Sequence, residues 1–338
     1  MLIRCQQCGE KVEAEARFCG HCGATIVDAN IGRVVGKRYV LKERIGSGSL
    51  GIVYRAEQLG MGRKLAIKLL PADADRTAET VARFRREGQL LCRLRSSHTI
   101  TTYEFDQEED NSLYIAMELS PGRSLAEVFR HEGPLESSRV LRMLIDLCDS
   151  LSEAHGLGVV HRDLKPENIL IEDRSGGRDF AKLSDFGLAK LLPANTHLSA
   201  PGQAIGAIEF SSPEQLLHHT IDARSDLYGL GVLGYLLMTG QHPFHGVRSV
   251  AEMVEAHVNR HAPPASSLRS DIPPDVDAIL ARLLAKEPER RFPDADALSA
   301  LINILLSTVL PIDPTETIRE PDLGEEDTAF ADLPKRDE

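Results

Sequence analysis

One stretch constrains this chain more than any other: His161-Arg162-Asp163-Leu164-Lys165-Pro166-Glu167-Asn168-Ile169-Leu170, followed seventeen residues after Asn168 by Asp185-Phe186-Gly187. Two further features precede it. Ile45-Gly46-Ser47-Gly48-Ser49-Leu50-Gly51-Ile52-Val53 follows a strand-like run beginning at Arg38. Glycines at 46, 48 and 51 let a hairpin backbone approach phosphate oxygens, because no Cβ obstructs the amides. The same spacing also opens dinucleotide-binding folds, where it follows a strand and starts a helix. Here β-favouring Ile52-Val53-Tyr54 comes next, which favours the hairpin. Leu65-Ala66-Ile67-Lys68-Leu69-Leu70 then alternates like a strand and carries one lysine inside an apolar run. A buried ammonium is costly without an anion. Phosphates, or Glu87 in the helical stretch Phe84-Arg85-Arg86-Glu87, are the candidate partners. The plain alternative is a lysine that lays its stem on apolar neighbours and keeps its charge in water.

In this order the motifs have the pattern of a protein-kinase nucleotide loop, catalytic loop and metal-binding loop. Residues 33–308 resemble the eukaryotic-like Ser/Thr protein kinases of bacteria, and Lys165-Pro166-Glu167 is the Ser/Thr rather than the Tyr form. The resemblance implies an α+β, bilobal protein-kinase fold with a β-rich N-lobe and an α-helical C-lobe. It implies ATP as phosphoryl donor, Mg²⁺ (or Mn²⁺) as metal, and Ser/Thr hydroxyls of proteins as acceptors, in bacterial signalling. Phosphoryl transfer needs positioning and charge neutralisation more than covalent chemistry. Carried over residue by residue, Asp163 is the catalytic base and Lys165 neutralises charge on the transferred group. Asn168 and Asp185 hold the metal with oxygen donors suited to a hard cation. Lys68 holds the α- and β-phosphates while paired with Glu87. Val53 and Ala66 cover the adenine from above and Leu170 from below, and Met117-Glu118-Leu119 is the hinge whose backbone hydrogen-bonds the ring.

Structural positions follow the same pattern. Ser212-Pro213-Glu214 stands where the family has Ala-Pro-Glu, and Arg291 suits the buried partner of Glu214. Asp226 opens a run that is apolar all round, expected to be a central buried helix, and in the family that Asp anchors the catalytic-loop backbone. Val140, Leu144, Leu147 and Leu151 form a helical stripe leading into that loop. Met143, Met238, Cys92 and Cys148 read as core filler.

Four of the six cysteines lie in the first 22 residues, as Cys5-Gln-Gln-Cys8 and Cys19-Gly-His-Cys22. Two such pairs can offer four thiolates to one tetrahedral zinc, with Gly9 and Gly23 permitting the sharp turns. So short a segment buries too little apolar surface to fold alone, so the metal supplies the missing free energy. A pair of disulfides is disfavoured because no apolar leader places the chain in an oxidising compartment. The expected organisation is a zinc ribbon at 1–28, a joint near 24–32, the kinase domain at 33–308 and an acidic tail at 311–338.

Charge adds exclusions. The net charge is −12, of which the tail accounts for −7. A globally basic nucleic-acid binder is disfavoured, a small local patch stays open, and Arg4, Lys11 and Arg17 are too few to give the ribbon strong phosphate binding. The uncharged runs at 227–240 and 297–312 are too short to cross a bilayer and read as buried helices. The expectation is a cytoplasmic protein without a membrane or nucleic-acid partner.

Regulation is expected at the segment 188–211, where phosphate on Thr196 or Ser199 would recruit Arg162 and Lys190. One departure stands out: Gly206-Ala207-Ile208-Glu209-Phe210 replaces the family's Gly-Thr-Pro-x-Tyr, removing a hydroxyl that bridges the catalytic Asp and Lys. The tail has the composition of a disordered segment. Its Thr315, Thr317 and Thr328 could recruit a phosphothreonine-reading partner, although a solubilising role is favoured. A pseudokinase scaffold is the competing class, supported by Ala207 and opposed by retention of Lys68, Asp163, Asn168 and Asp185.

Overall fold

The β-favouring runs around the glycines pair into an antiparallel sheet. A separate short hairpin precedes it, β1 (Leu2–Arg4) with β2 (Lys11–Glu13). The main sheet comprises β3 (Val34–Val35), β4 (Tyr39–Gly48), β5 (Gly51–Gln58) and β6 (Lys64–Leu70), and then β7 (Thr102–Gln107) and β8 (Leu113–Met117) beyond helix α1 (Ala78–Leu91). Its order is β3-β4-β5-β6-β8-β7. The computed structural model describes residues 2–4, 7–13, 18–23, 28–48, 51–70, 78–174, 178–186 and 208–308. Cys5, Gly187, Lys190, Thr196, Ser199, Ala207 and the acidic tail lie outside the described residues, as does the side chain of Glu87.

The predicted joint is partly built into this sheet. Asp28 Oδ2 accepts from the hydroxyl of the fully buried Tyr54 at 2.8 Å, and Asn30 Nδ2 donates to the Tyr54 hydroxyl oxygen at 3.0 Å. Gly32 N and Leu41 N make backbone bonds to Leu41 O and Arg33 O, and Val35 joins Leu41, Tyr54 and Ile67 in the core. Burial pushes the Tyr54 hydroxyl up to about 12, so it stays a neutral donor. Two residues of strand register, Val34↔Val40 and Val35↔Tyr39, are too few to show a period in sequence.

The helical lobe follows. β9 (Arg123–Ser124) leads into α2 (Leu125–Glu132), whose Ser124 and Glu127 form a reciprocal cap. α3 (Ser137–Gly156) buries its predicted stripe of Val140, Leu144, Leu147 and Leu151 completely. A 3₁₀ turn at Pro166–Asn168 and the strands β10 (Ile169–Asp173) and β11 (Asp179–Leu183) carry the catalytic motifs. The remaining helices are α4 (Pro213–Leu216), α5 (Ala223–Thr239), α6 (Val250–Asn259), α7 (Pro274–Leu283) and α8 (Ala295–Thr308). Among the described residues no helix is long and apolar enough to cross a membrane.

α5 is buried nearly throughout, as its unbroken apolar run requires. A Cβ at Gly231 would stand 2.7 Å from that of Leu283, so the glycine sets how closely α7 packs. The second uncharged run differs from expectation. α8 lies along α3 with Leu298, Ile302 and Leu305 inside, but Leu301 and Ile304 face solvent. It is an edge helix with one buried stripe. Cys148 is buried as expected, whereas Cys92 at the end of α1 is only half-buried.

The loop after α1 stitches the two lobes together. Ile100 N bonds Leu183 O and Leu183 N bonds His98 O, each at 2.8 Å, while Glu153 on α3 accepts from the backbone N–H of Arg95 and Ser96.

Candidate active site

The glycine run forms the β4–β5 hairpin, with Gly46 opposite Val53 and Gly48 opposite Gly51. Gly51 is required for packing as well as for access. A Cβ there would stand 2.4 Å from Leu69 O on the neighbouring strand, so nothing larger fits. A Cβ at Gly46 would stand 3.9 Å from that of Val53, an ordinary contact, so packing does not demand glycine there.

Register places Lys68 on β6 opposite Val53 on one side and Ile115 on the other. Its side chain is 7% exposed, and Nζ donates to Asp185 Oδ2 at 2.8 Å. The buried ammonium therefore has the anion that its setting demands. Glu87 lies in α1 as predicted, with its side chain outside the description. Ala66, Ile100 and Met117 form one apolar cluster to which Val53, Leu119 and Leu170 add partly buried side chains. The residues expected above, below and beside an adenine thus meet on one bed.

Glu118, the middle residue of the expected hinge, accepts from Thr101 N at 3.1 Å and pairs with Lys182 on β11. Lys182 also stands 3.7 Å from Glu172. Burial pushes the Glu118 carboxyl up, but the Lys182 and Thr101 bonds outweigh it and hold the group below its ordinary range. Sequence reading missed this lysine, since nothing in its neighbourhood sets it apart from a strand lysine facing water.

The catalytic loop hangs from one carboxylate. Asp226 accepts from His161 N and Arg162 N, each at 2.8 Å, and stands 2.8 Å from His155 Nε2. Arg162 and Asp185 both have left-handed backbones, with φ of 68° and 62°. Non-glycine residues there cost about 1–2 kcal/mol each, and the Asp226 bonds hold the first of them in place. His161 Nε2 donates to Ser184 O at 2.8 Å, and its ring meets Phe186 edge-on at 4.6 Å, tying the loop to Asp185.

Within this frame Lys165 Nζ donates to Asp163 Oδ2 at 2.7 Å. Asn168 Nδ2 donates to Asp163 O at 2.8 Å and Oδ2 at 3.0 Å, which fixes the amide's orientation. Burial pushes the Asp163 carboxyl up, but Lys165, with help from His161 and Asn168, holds it below its usual range. Asp163 is thus an anion at neutral pH, able to accept a hydrogen bond from an incoming hydroxyl. Asn168 and Asp185 offer the oxygen donors of a hard-cation site, and the donor set fits magnesium.

Glu214 and Arg291 form the expected buried pair, with two bonds of 2.7 and 2.8 Å. Ser225 Oγ donates to the same carboxylate at 2.6 Å, and Gln215 Nε2 donates to Arg162 O at 2.9 Å, so this anchor braces the catalytic loop.

In the amino-terminal segment the sulfurs of Cys8, Cys19 and Cys22 lie within 4.8 Å of one another, Cys8 and Cys19 at 3.6 Å. Thiolates 2.3 Å from a tetrahedral zinc are about 3.8 Å apart, so the cluster fits that ion. Gly9 and Gly23 have φ of 74° and 72°, and Gly23 N closes a turn on Cys19 O at 2.8 Å, as the knuckles require.

Comparison with known proteins agrees on both parts. A family model described as a protein kinase domain matches residues 39–301, and a zinc-ribbon model matches residues 4–26. The serine/threonine-protein kinase pkn3 of Myxococcus xanthus is 38% identical over 81% of this chain and 51% of its own length. PknB of Mycobacterium tuberculosis is 33% identical over 78% of this chain and 42% of its own length. The chain thus spans about half the length, or less, of the curated relatives it matches. The crystal structure of the M. tuberculosis PknI kinase domain superposes with a TM-score of 0.63 at 23% identity, covering 82% of this chain and 98% of that one, which shows the shared fold. The chain belongs to the protein kinase domain family and carries a zinc ribbon ahead of the kinase fold.

Proposed function

We propose that this chain is an ATP-dependent Ser/Thr protein kinase. The observation that carries the proposal is the meeting of Asp163, Lys165 and Asn168 on one rigid loop, across from the Lys68–Asp185 pair and the apolar bed of Val53, Ala66 and Leu170. Asp163 orients the acceptor hydroxyl and takes its hydrogen bond. Lys165 stabilises negative charge as it builds on the transferred group, and Lys68 anchors the phosphates. Asn168 and Asp185 would hold magnesium, which would supply charge neutralisation at the phosphates. Residues 208–212 neighbour the catalytic loop, since Phe210 O and Leu164 both lie against Gly229 and Gln215 donates to Arg162 O, and this reading takes the protein acceptor along that segment. The names of the curated relatives support the Ser/Thr acceptor class.

The proposal extends to regulation and setting. Arg162 Nε is buried and has no hydrogen-bond partner among the described residues, in keeping with a guanidinium that awaits phosphate on Thr196 or Ser199. A thiolate metal cluster and a nucleotide substrate both suit a reducing compartment, so the reading includes a cytoplasmic kinase domain. A phosphothreonine-reading partner for Thr315, Thr317 or Thr328 is the finer part of the same proposal.

The test is phosphoryl transfer from γ-labelled ATP with Mg²⁺ or Mn²⁺, comparing the wild type with Asp163→Ala. Incorporation into serine or threonine is expected to fall at least a hundredfold in the variant; equal incorporation overturns the proposal.

A further inference from the structure

The turn that follows α5 delivers a histidine to residues 209–210. Gly240 ends the helix with φ of 78°, and Thr239 Oγ1 accepts from Gln241 N at 3.1 Å, fixing the turn into His242. The imidazole is held by two opposed backbone groups. Glu209 O lies 2.8 Å from Nε2, and Phe244 N donates to Nδ1 at 3.1 Å. A carbonyl only accepts and an amide only donates, so the neutral ring with its proton on Nε2 satisfies both.

The ring is also boxed in. Phe210 meets it edge-on at 6.4 Å and Phe244 at 5.7 Å, and the fully buried His257 stands 5.6 Å away. His257 Nδ1 pairs with Tyr228 OH at 2.9 Å, and the Arg291 guanidinium covers the Tyr228 ring at 4.9 Å. Arg291 in turn holds Glu214, so the contacts run from residue 209 through the lobe and back to residue 214. Burial pushes His242 down and His257 down to about 3, which keeps both rings neutral.

We propose that His242 is a positioning residue for the protein acceptor, acting through the Glu209 carbonyl to hold the backbone of residues 208–210 in line with Asp163. This rests on the kinase reading above. Phe210 O approaches the α5 backbone, and a Cβ at Gly229 would stand 3.4 Å from it and 3.2 Å from Leu164. The acceptor segment is thereby clamped from beneath by α5 and from its flank by His242. Among the described residues His242 touches none of the apolar bed of Val53, Ala66 and Leu170, so its effect falls on the acceptor.

The experiment measures steady-state kinetics with dephosphorylated casein as acceptor, varying casein and ATP separately, for the wild type, His242→Phe and His242→Gln. The Phe variant keeps the ring contacts and loses both hydrogen bonds. Its KM for casein is expected to rise at least fivefold while its KM for ATP stays within twofold. The Gln variant restores an N–H donor and is expected to return the casein KM to within twofold of wild type. Equal casein KM in wild type and His242→Phe, or a parallel rise in both KM values, overturns the assignment. A wild type that labels no acceptor overturns the kinase reading and this one with it, whereas an active wild type matched by its Phe variant overturns this one alone.

Discussion

Two ion pairs in this molecule look alike on paper and behave oppositely. Lys68–Asp185 joins the sheet lobe to the loop proposed to hold the metal, and Asp185 is about a quarter exposed. Glu214–Arg291 joins segments 77 positions apart inside the helical lobe, and the arginine side chain is 0% exposed. Arg291 uses all five of its N–H donors, two on Glu214 and the others on the carbonyls of Ala285, Arg224 and Lys286. On the proposed reading, phosphate and metal replace Lys68 and Asp185 as each other's counter-charge. A saturated, buried pair is architecture, and a pair open on one side can exchange partners.

Breaking the buried pair has the largest expected effect on stability. Arg291→Met strands the Glu214 carboxylate and is expected to cost about 3–5 kcal/mol, read as a lowered urea midpoint at unchanged slope. Lys68→Met is expected to leave stability within about 1 kcal/mol, because Asp185 can reach water. It is expected to lower kcat/KM for ATP at least tenfold, about 1.4 kcal/mol of transition-state stabilisation.

Acid sharpens the same contrast. Burial pushes the Glu214 carboxyl up, but its bonds to Arg291 and Ser225 outweigh this and hold it below 4.5. A lowered folded value means that the stabilisation is fully present above that figure and is lost as pH falls through the folded value. Urea melts between pH 6 and 3 are expected to show this loss in the wild type and a smaller one in Glu214→Gln. The smallest effect is expected at Ala207→Thr. A restored hydroxyl bridge between Asp163 and Lys165 is worth about 0.5–1.5 kcal/mol, hence about a two- to tenfold rise in turnover. An unchanged or lower rate would show that the bridge is not what this chain lacks.

Much of the chemistry was legible because it is written in short, ordered stretches. Asp163, Lys165 and Asn168 sit within six residues, and a single turn brings them together whatever the rest does. The run beginning at Asp226 announced a buried helix by its lack of any polar face. Partners distant in sequence were legible only through resemblance, as with Glu214 and Arg291. Where no motif pointed, the sequence was silent. Lys182 reads as an ordinary strand lysine until β11 brings it against Glu118 and Glu172. His242 follows a glycine turn and shows no periodicity, so only the fold reveals what its two nitrogens hold. The 297–312 run reads as a buried helix, yet α8 exposes Leu301 and Ile304, because absence of charge does not separate a helix under a lobe from one on its edge.

The Asp28–Tyr54 clasp bears on where this protein can be cut. The family match begins at residue 39, but trimming there would strip Val34 and Val35 from the sheet edge and leave a buried tyrosine hydroxyl short of both partners. That tyrosine adjoins Val53 on the strand that leaves the nucleotide hairpin. A kinase fragment meant to report the native lobe should therefore start ahead of Asp28, since a shorter one would show a loosened nucleotide grip that belongs to the truncation and not to loss of the ribbon.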